Sequence, residues 1–325
     1  MAHKQRHSRT RILRHQGEWF LLKALLTLLQ HGPIEQALAR TRHLARWAMP
    51  LLKNNHHWAD TNLQLVYGPN LTAPQRQRLV QLVFENIFVS HVEGFRAADI
   101  TFEQTDPTHL HEAMAMGRGA LACSLHLGSW EPAMVEITQQ GIPLTVVYRH
   151  ANNPKVEAIF RQIRIKHQLH LVRRDQPRAI LQSLKEKRMI GLMVDINTLH
   201  HGITAPFLGL PAQSHPGTVK MARKYGAPIV PMVCIRTAPG KAKLCVQPPL
   251  FADKNESDSE LMLRLYKQLE PFLLDHAEQY NWLHGRWRAR PDGRVWSRST
   301  PVQEILKERT TPFLEPTEQV MELIR

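Results

Sequence analysis

The stretch ALACSLHLGSWEPAM, residues 120–134, predicts a strand that is followed at once by a helix. Its first six residues are apolar or small, as in a buried strand, and Gly128 permits a tight turn. Ser129 is a favourable helix N-cap, and Pro132 falls in the first helical turn, where proline is tolerated. The sequence therefore places His126 at the end of a strand, just before a helix begins.

Three further apolar runs predict that this strand belongs to a larger sheet. PLTVVY, IGLMVD and PIVPMVCI are short and rich in β-forming residues, and helical segments lie between them. Helix starts are indicated at Asp106-Pro107, Asn153-Pro154 and Asp175-Gln176-Pro177. Strands that alternate with helices predict an α/β fold with a mixed, mostly parallel sheet flanked by helices. Ligands of such sheets bind outside the carboxyl ends of the strands, which is where His126 is expected.

The sequence ahead of this α/β part is helical in pattern. IEQALARTRHLARWAMPLL and APQRQRLVQLVFENIFVSHVEGF carry apolar residues at three- and four-residue spacing, and Thr72 with Pro74 marks a helix start. We therefore predict a helical, basic, membrane-associating region over residues 1–105 and an α/β core over residues 106–299. Residues 300–325 are expected to form an appendage to what is otherwise one domain.

The chain carries more positive than negative charge. It has 42 Lys and Arg against 28 Asp and Glu in 325 residues, a formal net charge of +14. Such a surface attracts nucleic acid, phospholipid headgroups or an acidic carrier protein, and charge alone does not choose among them. The three cysteines are too few and too irregularly spaced for a disulfide framework or a CxxC metal site, which predicts a reducing compartment.

The N-terminal segment MAHKQRHSRTRILRHQG is basic and contains no acid. The apolar run EWFLLKALLTLL that follows is about half of the roughly 20 residues that span a bilayer, and Lys23 interrupts it. No small-residue cleavage site typical of a secretory signal is present. Two interpretations stay open: a helix that lies in the headgroup layer of an anionic membrane, and a buried first helix behind a frayed tail.

His126 and Glu131 are candidates for acid–base chemistry. A carboxylate that bonds one imidazole nitrogen fixes the tautomer and leaves the other nitrogen free as a base. We predict that Glu131 does this for His126, so that the pair deprotonates a hydroxyl or amine that attacks an activated acyl group. Ser129 is not in a GxSxG elbow, and Cys123 points away from His126 if the strand alternates. On the motif alone, a histidine bonded to a backbone carbonyl and a glutamate placed for the helix dipole remain the alternative.

The segment HLGSWE resembles the H-(x)4-(D/E) motif of the glycerolipid acyltransferases. It is most similar to the HFGNWE-like form of the bacterial lipid A late acyltransferases of lauroyl and myristoyl type. Further similar segments follow in the family's order: VYRHANNP, RRDQPRAILQSLKEKRMIGLMVD, APFLGLPAQSHPGTVKMARKYGAPIVP and EQYNWLHGRWRARP. The resemblance covers roughly residues 20 to 292.

The resemblance implies a glycerolipid acyltransferase-like fold and an O-acyltransferase activity. It implies that His126 is the general base and that Glu131 orients it. The donor would be an acyl thioester on acyl carrier protein, with coenzyme A as the open alternative. The acceptor would be a phosphorylated glucosamine disaccharide lipid at the cytoplasmic face of the inner membrane. No metal or organic cofactor is implied, and no nucleic acid partner.

The resemblance also assigns substrate-binding residues. Arg149 and Arg164 match family arginines, and guanidinium groups suit phosphate or oxyanion oxygens; ordinary solvated charge is the alternative. Asp195 is expected at the same sheet edge as His126, where it shapes the site or pairs with an arginine. Asn197 stands where the family commonly has a second acid, and Ser129 stands where asparagine is common. These departures leave another phospholipid or aminolipid open as the acceptor.

Two functions from other classes are alternatives to acyl transfer. A metal-dependent hydrolase would use His126, Glu131, His200 and His201, but the sequence has no HExxH or HxH spacing. A non-catalytic binder of nucleic acid or membranes would use only the charge. The chain has no recognised nucleic-acid motif, and its basic residues are scattered apart from the N-terminal tail.

Overall fold

The computed structural model of the chain describes residues 2–199, 201–309 and 311–325, with side chains from Ile12 onward. The side chains of the first basic residues, Lys4, Arg6, Arg9 and Arg11, lie outside this description. Within it the helices are α1 (Ala2–Gln30), α2 (Ile34–Ala48), α3 (Lys53–Tyr67), α4 (Ala73–Phe95), α5 (Thr108–Ala115), α6 (Trp130–Gln139), α7 (Pro154–Lys166), α8 (Pro177–Lys185), α9 (Gly217–Tyr225), α10 (Asp258–Asp275), α11 (Val302–Leu306) and α12 (Glu318–Ile324).

The strands form one large sheet and one hairpin. They are β1 (Thr101–Phe102), β2 (Ala120–Ser124), β3 (Leu144–Tyr148), β4 (His170–Arg173), β5 (Met189–Met193), β6 (Ile203–Phe207), β7 (Leu210–Ser214), β8 (Ile229–Ala238) and β9 (Lys241–Val246). The seven-stranded sheet has the order β1-β9-β8-β2-β5-β3-β4, and β6 pairs with β7 separately. Strands β8, β2, β5, β3 and β4 are parallel, and β9 runs antiparallel to β8. The prediction of a mixed, mostly parallel sheet flanked by helices is confirmed.

The sheet is buried on both faces. Along β2, Leu121 and Cys123 pack into one apolar cluster, whereas Ala120 and Ala122 pack into another. This alternation follows from the period of a strand, and a layer of helices covers each face. All three cysteines are free thiols.

The helical N-terminal region contributes α4, which packs against α6 and bonds the turn after β2 through Ser90. Thr72 caps α4 by accepting a hydrogen bond from the Gln75 amide, and Pro74 lies in its first turn, as predicted. Val83 and Phe84 of this helix are fully buried. Among the described residues, no helix combines the length and apolar character needed to cross a membrane. The division at residues 105 and 299 stays a prediction.

Candidate active site

The register of β2 and β5 sets the centre of the site. These parallel strands are neighbours, and Ser124 lies opposite Met193 at their carboxyl ends. Two residues beyond the end of each strand come His126 and Asp195. Because residues paired across a parallel ladder advance together, the two side chains meet at the sheet edge.

His126 and Asp195 are joined by two hydrogen bonds. The imidazole Nδ1–H donates to Asp195 Oδ1 at 2.8 Å, and the backbone N–H of His126 donates to Oδ2 at 3.0 Å. A carboxylate only accepts, so the proton of the neutral imidazole is on Nδ1 and Nε2 is a free base. The Asp195 side chain is 0% exposed, whereas that of His126 is 21% exposed. Only the base of this pair is therefore within reach of a substrate.

Burial and charge act in opposite directions on this pair. Burial disfavours the imidazolium of His126, but the Asp195 carboxylate outweighs it and raises the pKa of His126 above its ordinary value. Burial likewise opposes ionisation of Asp195, yet His126 and its hydrogen bonds hold the pKa of Asp195 below its ordinary value. The arrangement stabilises the imidazolium that forms when Nε2 takes a proton.

The partner of the imidazole is not the one predicted. The sequence assigned the orienting hydrogen bond to Glu131, and the structure gives it to Asp195. Glu131 instead bonds Arg164, with 2.5 Å between its Oε1 and Nη2 and 3.3 Å between its Oε2 and Nε. The reason is geometric, since Glu131 opens α6 and faces α7, while Asp195 leaves the strand beside β2. Glu131 still raises the pKa of His126 through its charge, as a weaker influence than Asp195.

An apolar crevice lies beside the Glu131–Arg164 ion pair. Its enclosed volume is about 30 Å³, and its mouth is open to solvent. Its lining is His91, Gly94, Phe95, Trp130, Glu131, Phe160, Ile163 and Arg164, from α4, α6 and α7. The Arg164 guanidinium lies over the rings of Tyr148 and Phe160, at 5.5 and 5.8 Å from their centroids. The crevice thus combines apolar walls with one polar pair.

Trp130 connects the crevice to the base. Its ring lies edge-on to that of His126, with 5.6 Å between centroids, and also lines the crevice. Gly94 allows α4 to approach α6 closely, because a Cβ on Gly94 would be 2.8 Å from the Cβ of Glu131. Trp130 thus places one wall of the crevice next to the base.

Arg149 and Arg164, the predicted substrate-binding arginines, differ in their surroundings. Arg149 directly follows β3 and is exposed at the same sheet edge as His126. Arg164 is half-buried and bonded to Glu131. Asp195, expected to shape the site or to pair with an arginine, is bonded to His126. The roles of all three in substrate binding stay predictions.

A C-terminal segment supports the pair from behind, and sequence reasoning gave it no role. The Asn281 N–H donates to the backbone oxygen of His126 at 2.9 Å. His284 lies between two backbone oxygens, with Nε2 at 3.1 Å from Asp195 O and Nδ1 at 2.9 Å from Asn281 O. Burial lowers the pKa of His284, although the nearby Asp195 carboxylate opposes this. Both residues belong to the NWLH run within EQYNWLHGRWRARP, and that run was the available signal.

The alternative metal site finds no support among the described residues. Glu131 bonds Arg164, and His200 lies outside the described residues. Across residues 2–199, 201–309 and 311–325, no group of three or more His, Cys, Asp or Glu side chains is arranged to hold a metal ion.

Comparison with known proteins identifies relatives of the chain. The sequence profile of the family described as bacterial lipid A biosynthesis acyltransferase matches residues 3–289. The lipid A biosynthesis lauroyltransferase of Escherichia coli (strain K12) is 24% identical over 261 residues, which is 77% of this chain and 84% of that protein. A lipid A biosynthesis acyltransferase of Haemophilus influenzae is 25% identical over 290 residues, 85% of this chain and 89% of that protein. A phosphatidylinositol mannoside acyltransferase of Mycolicibacterium smegmatis is 28% identical over 138 residues, 40% of this chain and 44% of that protein.

Proposed function

Because the chain belongs to the bacterial lipid A biosynthesis acyltransferase family, we propose that it moves a fatty acyl chain from an acyl thioester to a hydroxyl of a lipid A precursor. The observation that carries the proposal is the His126–Asp195 pair, which leaves Nε2 free on a ring that contacts Trp130, a residue of the crevice wall. Acyl carrier protein is the proposed carrier of the thioester, and coenzyme A is the alternative.

The proposed reaction begins with proton transfer to His126. As the acceptor oxygen attacks the thioester carbonyl carbon, Nε2 takes the hydroxyl proton and a tetrahedral oxyanion forms. Asp195 stabilises the resulting imidazolium through the bond to Nδ1. When the intermediate collapses, the carbon–sulfur bond breaks, and the imidazolium proton can pass to the leaving thiolate. An ester and a thiol result, and His126 is again neutral.

Glu131 and Arg164 are proposed to form the polar end of the acyl-binding crevice. Their ion pair fixes the first turn of α6 against α7 and keeps a negative charge near His126. Arg149 is exposed at the same sheet edge, where its guanidinium is proposed to contact phosphate oxygens of the acceptor. The net charge of +14 suits an acidic carrier protein, a phosphorylated acceptor and an anionic membrane alike.

A peripheral location on the cytoplasmic face of the inner membrane is proposed from the surface of α1 and α2. Large apolar side chains are exposed on these helices and in the turn after α2: Phe20, Leu21, Leu28, Trp47 and Leu51, of which Trp47 and Leu51 are each 83% exposed. Arg40 and Lys53 are exposed close by in sequence. Exposed apolar residues with basic neighbours are typical of helices that bind an anionic bilayer surface.

The location is tested by sedimentation with vesicles that contain anionic phospholipid. The Trp47→Ala/Leu51→Ala double variant should bind such vesicles several-fold more weakly, because it removes two of the most exposed apolar side chains. Its turnover of detergent-dispersed substrates should remain at the wild-type level. Phe251→Ala is the matched control, since Phe251 is an exposed aromatic residue outside α1 and α2. Equal vesicle binding by all three proteins would exclude this surface.

The activity is tested by mass spectrometry of lipids from cells that lack their own late acyltransferases. Wild-type chain should yield lipid A heavier by one acyl group, and His126→Ala should not. Unchanged lipid A with a newly acylated glycolipid or phospholipid would keep the chemistry and move the acceptor. Because the chain is similar to a phosphatidylinositol mannoside acyltransferase, a phosphatidylinositol mannoside is the first glycolipid to examine for that second outcome. No lipid difference between the two proteins would reject acyl transfer by this site.

A further inference from the structure

The turn between His126 and Glu131 is bonded to three other parts of the chain. The Gly128 N–H donates to Gln279 O at 3.1 Å, and the Ser129 N–H donates to Cys234 O at 2.8 Å. The Gly128 oxygen accepts from Ser90 Oγ at 2.7 Å. Gly128 has a φ of +61°, and a Cβ there would collide with the Cys234 carbonyl oxygen. The turn therefore requires glycine and is fixed on several sides.

Ser129 is bonded to a buried ion pair. Its Oγ–H donates to Glu93 Oε2 at 2.7 Å, and the Ser129 residue is 0% exposed. Glu93, from α4, is paired with Arg236, from β8, at 2.5 Å for Nε–Oε1 and 2.6 Å for Nη2–Oε2. Arg236 also donates to Asn86 Oδ1 at 2.7 Å and to Ser90 Oγ at 3.0 Å. We call the five side chains of Asn86, Ser90, Glu93, Ser129 and Arg236 the clamp.

Stability alone does not explain the clamp, because the removal of two charges from water costs free energy. The side chains of Arg236 and Glu93 are only 4% and 1% exposed, so both charges have left water. Apolar residues of similar volume often stabilise a fold as well as a buried ion pair does. A buried polar network with its groups satisfied does fix one geometry, however, because any displacement leaves a charge without its partner. The clamp holds α4, β8 and the turn in one relation to each other.

We propose that Ser129 is a positioning residue, which transmits the geometry of the Glu93–Arg236 pair to the reacting groups. This inference rests on the proposed acyl transfer. Ser129 lies three residues after the base His126, and it is followed directly by Trp130, which contacts His126 and lines the crevice. The bond from Ser129 to Glu93 thereby fixes the crevice relative to Nε2. Without this bond, the thioester carbonyl carbon and Nε2 of His126 are misaligned, although both groups are still in the site.

The main test is Ser129→Ala, assayed with an acyl thioester and a lipid acceptor in steady state. We expect kcat to fall about 10- to 100-fold, the size of effect that a small misplacement of reacting groups produces. The KM for the thioester should stay near the wild-type value, because the crevice walls are unchanged. Ser129→Asn should restore much of kcat, since its side-chain amide can also donate to Glu93. Ser129→Thr is the second rescue variant in case asparagine is too large for this buried position.

The matched control is Thr41→Val. Thr41 is 2% exposed, and its Oγ1 donates to Ala37 O within α2, so this variant also loses one buried hydroxyl bond. Its melting temperature should fall about as much as that of Ser129→Ala, while its kcat stays at the wild-type value. A wild-type kcat in Ser129→Ala, or an equal loss in Thr41→Val, would overturn the inference. If the wild-type protein itself transfers no acyl group, the proposed function fails first.

Discussion

Two carboxylates lie near His126, and they differ in burial and in partner. Asp195 is fully buried and accepts two hydrogen bonds from His126. Glu131 is partly exposed and accepts from Arg164. Both raise the pKa of His126, and Asp195 has the larger effect. The residue that completes the familiar sequence motif is therefore not the one that touches the base.

The difference shows how environment divides the work of two similar groups. A carboxylate shielded from water interacts strongly with an adjacent imidazolium, whereas an exposed one is screened by solvent. Asp195 is thus suited to orient the His126 imidazole and to stabilise its protonated form. Glu131, which bonds Arg164 beside the crevice, has the separate role proposed above, at the polar end of the crevice.

The largest effect that would test this division is expected for Asp195→Asn. The amide oxygen can accept only one of the two bonds from His126, and its NH₂ group would face the other donor. The tautomer with a free Nε2 then loses its support, so we expect kcat to fall by about 100-fold or more. Single-turnover acyl transfer measures this directly.

Glu270→Gln is the control for the loss of a buried carboxylate. Glu270, in α10, is 7% exposed and accepts from the N–H of Leu208, between β6 and β7, at 2.7 Å. The Glu270→Gln variant should be less stable than the wild type but should not lose kcat as Asp195→Asn does. If Asp195→Asn were as active as Glu270→Gln, the orienting role would return to Glu131.

Sequence patterns predicted the local elements of this site but not the contact at its centre. The turn at Gly128 and the helix beginning at Trp130 follow from local preferences, and both are present. The bond from His126 to Asp195 joins residues 69 positions apart and depends on the order and register of β2 and β5. A spacing rule along one segment cannot contain that information. His284 and Glu93 were missed for the same reason, since their partners are set by packing.

A second prediction concerns pH and compares both carboxylates in one measurement. Protonated Nε2 cannot accept a proton, so kcat/KM should fall as pH decreases through the pKa of His126, which lies above its ordinary value of 6.5. Removing the negative charge of Asp195 leaves burial to dominate, and the inflection should move to lower pH in Asp195→Asn. Glu131→Gln should move it in the same direction but less far. A larger shift in Glu131→Gln would reverse the ranking of the two groups.

A third, smaller effect is expected for the rate of Glu131→Gln. The glutamine keeps the shape of the side chain and one acceptor for Arg164, but it removes the partly screened charge. We expect a loss of about 10-fold in kcat/KM, mostly as a higher KM for the thioester. Arg164→Lys should resemble it, because a lysine cannot reproduce the two-point contact. A fall of kcat as deep as that of Asp195→Asn would contradict a role limited to the crevice.

The smallest effect is expected for Gly94→Ala, which probes the crevice without touching either charge. The added Cβ would lie 2.8 Å from the Cβ of Glu131, so α4 and α6 must move apart by a few tenths of an ångström or Glu131 must shift. We expect the KM for long-chain thioesters to rise about 3- to 10-fold, with less change for short chains and little change in kcat. Gly17→Ala is the control, because a Cβ at Gly17 on α1 meets no atom within 4 Å. If the effect of Gly94→Ala on KM did not depend on chain length, the acyl chain would not bind in the crevice. The proposed role of Glu131 in binding the acyl donor would then fail as well.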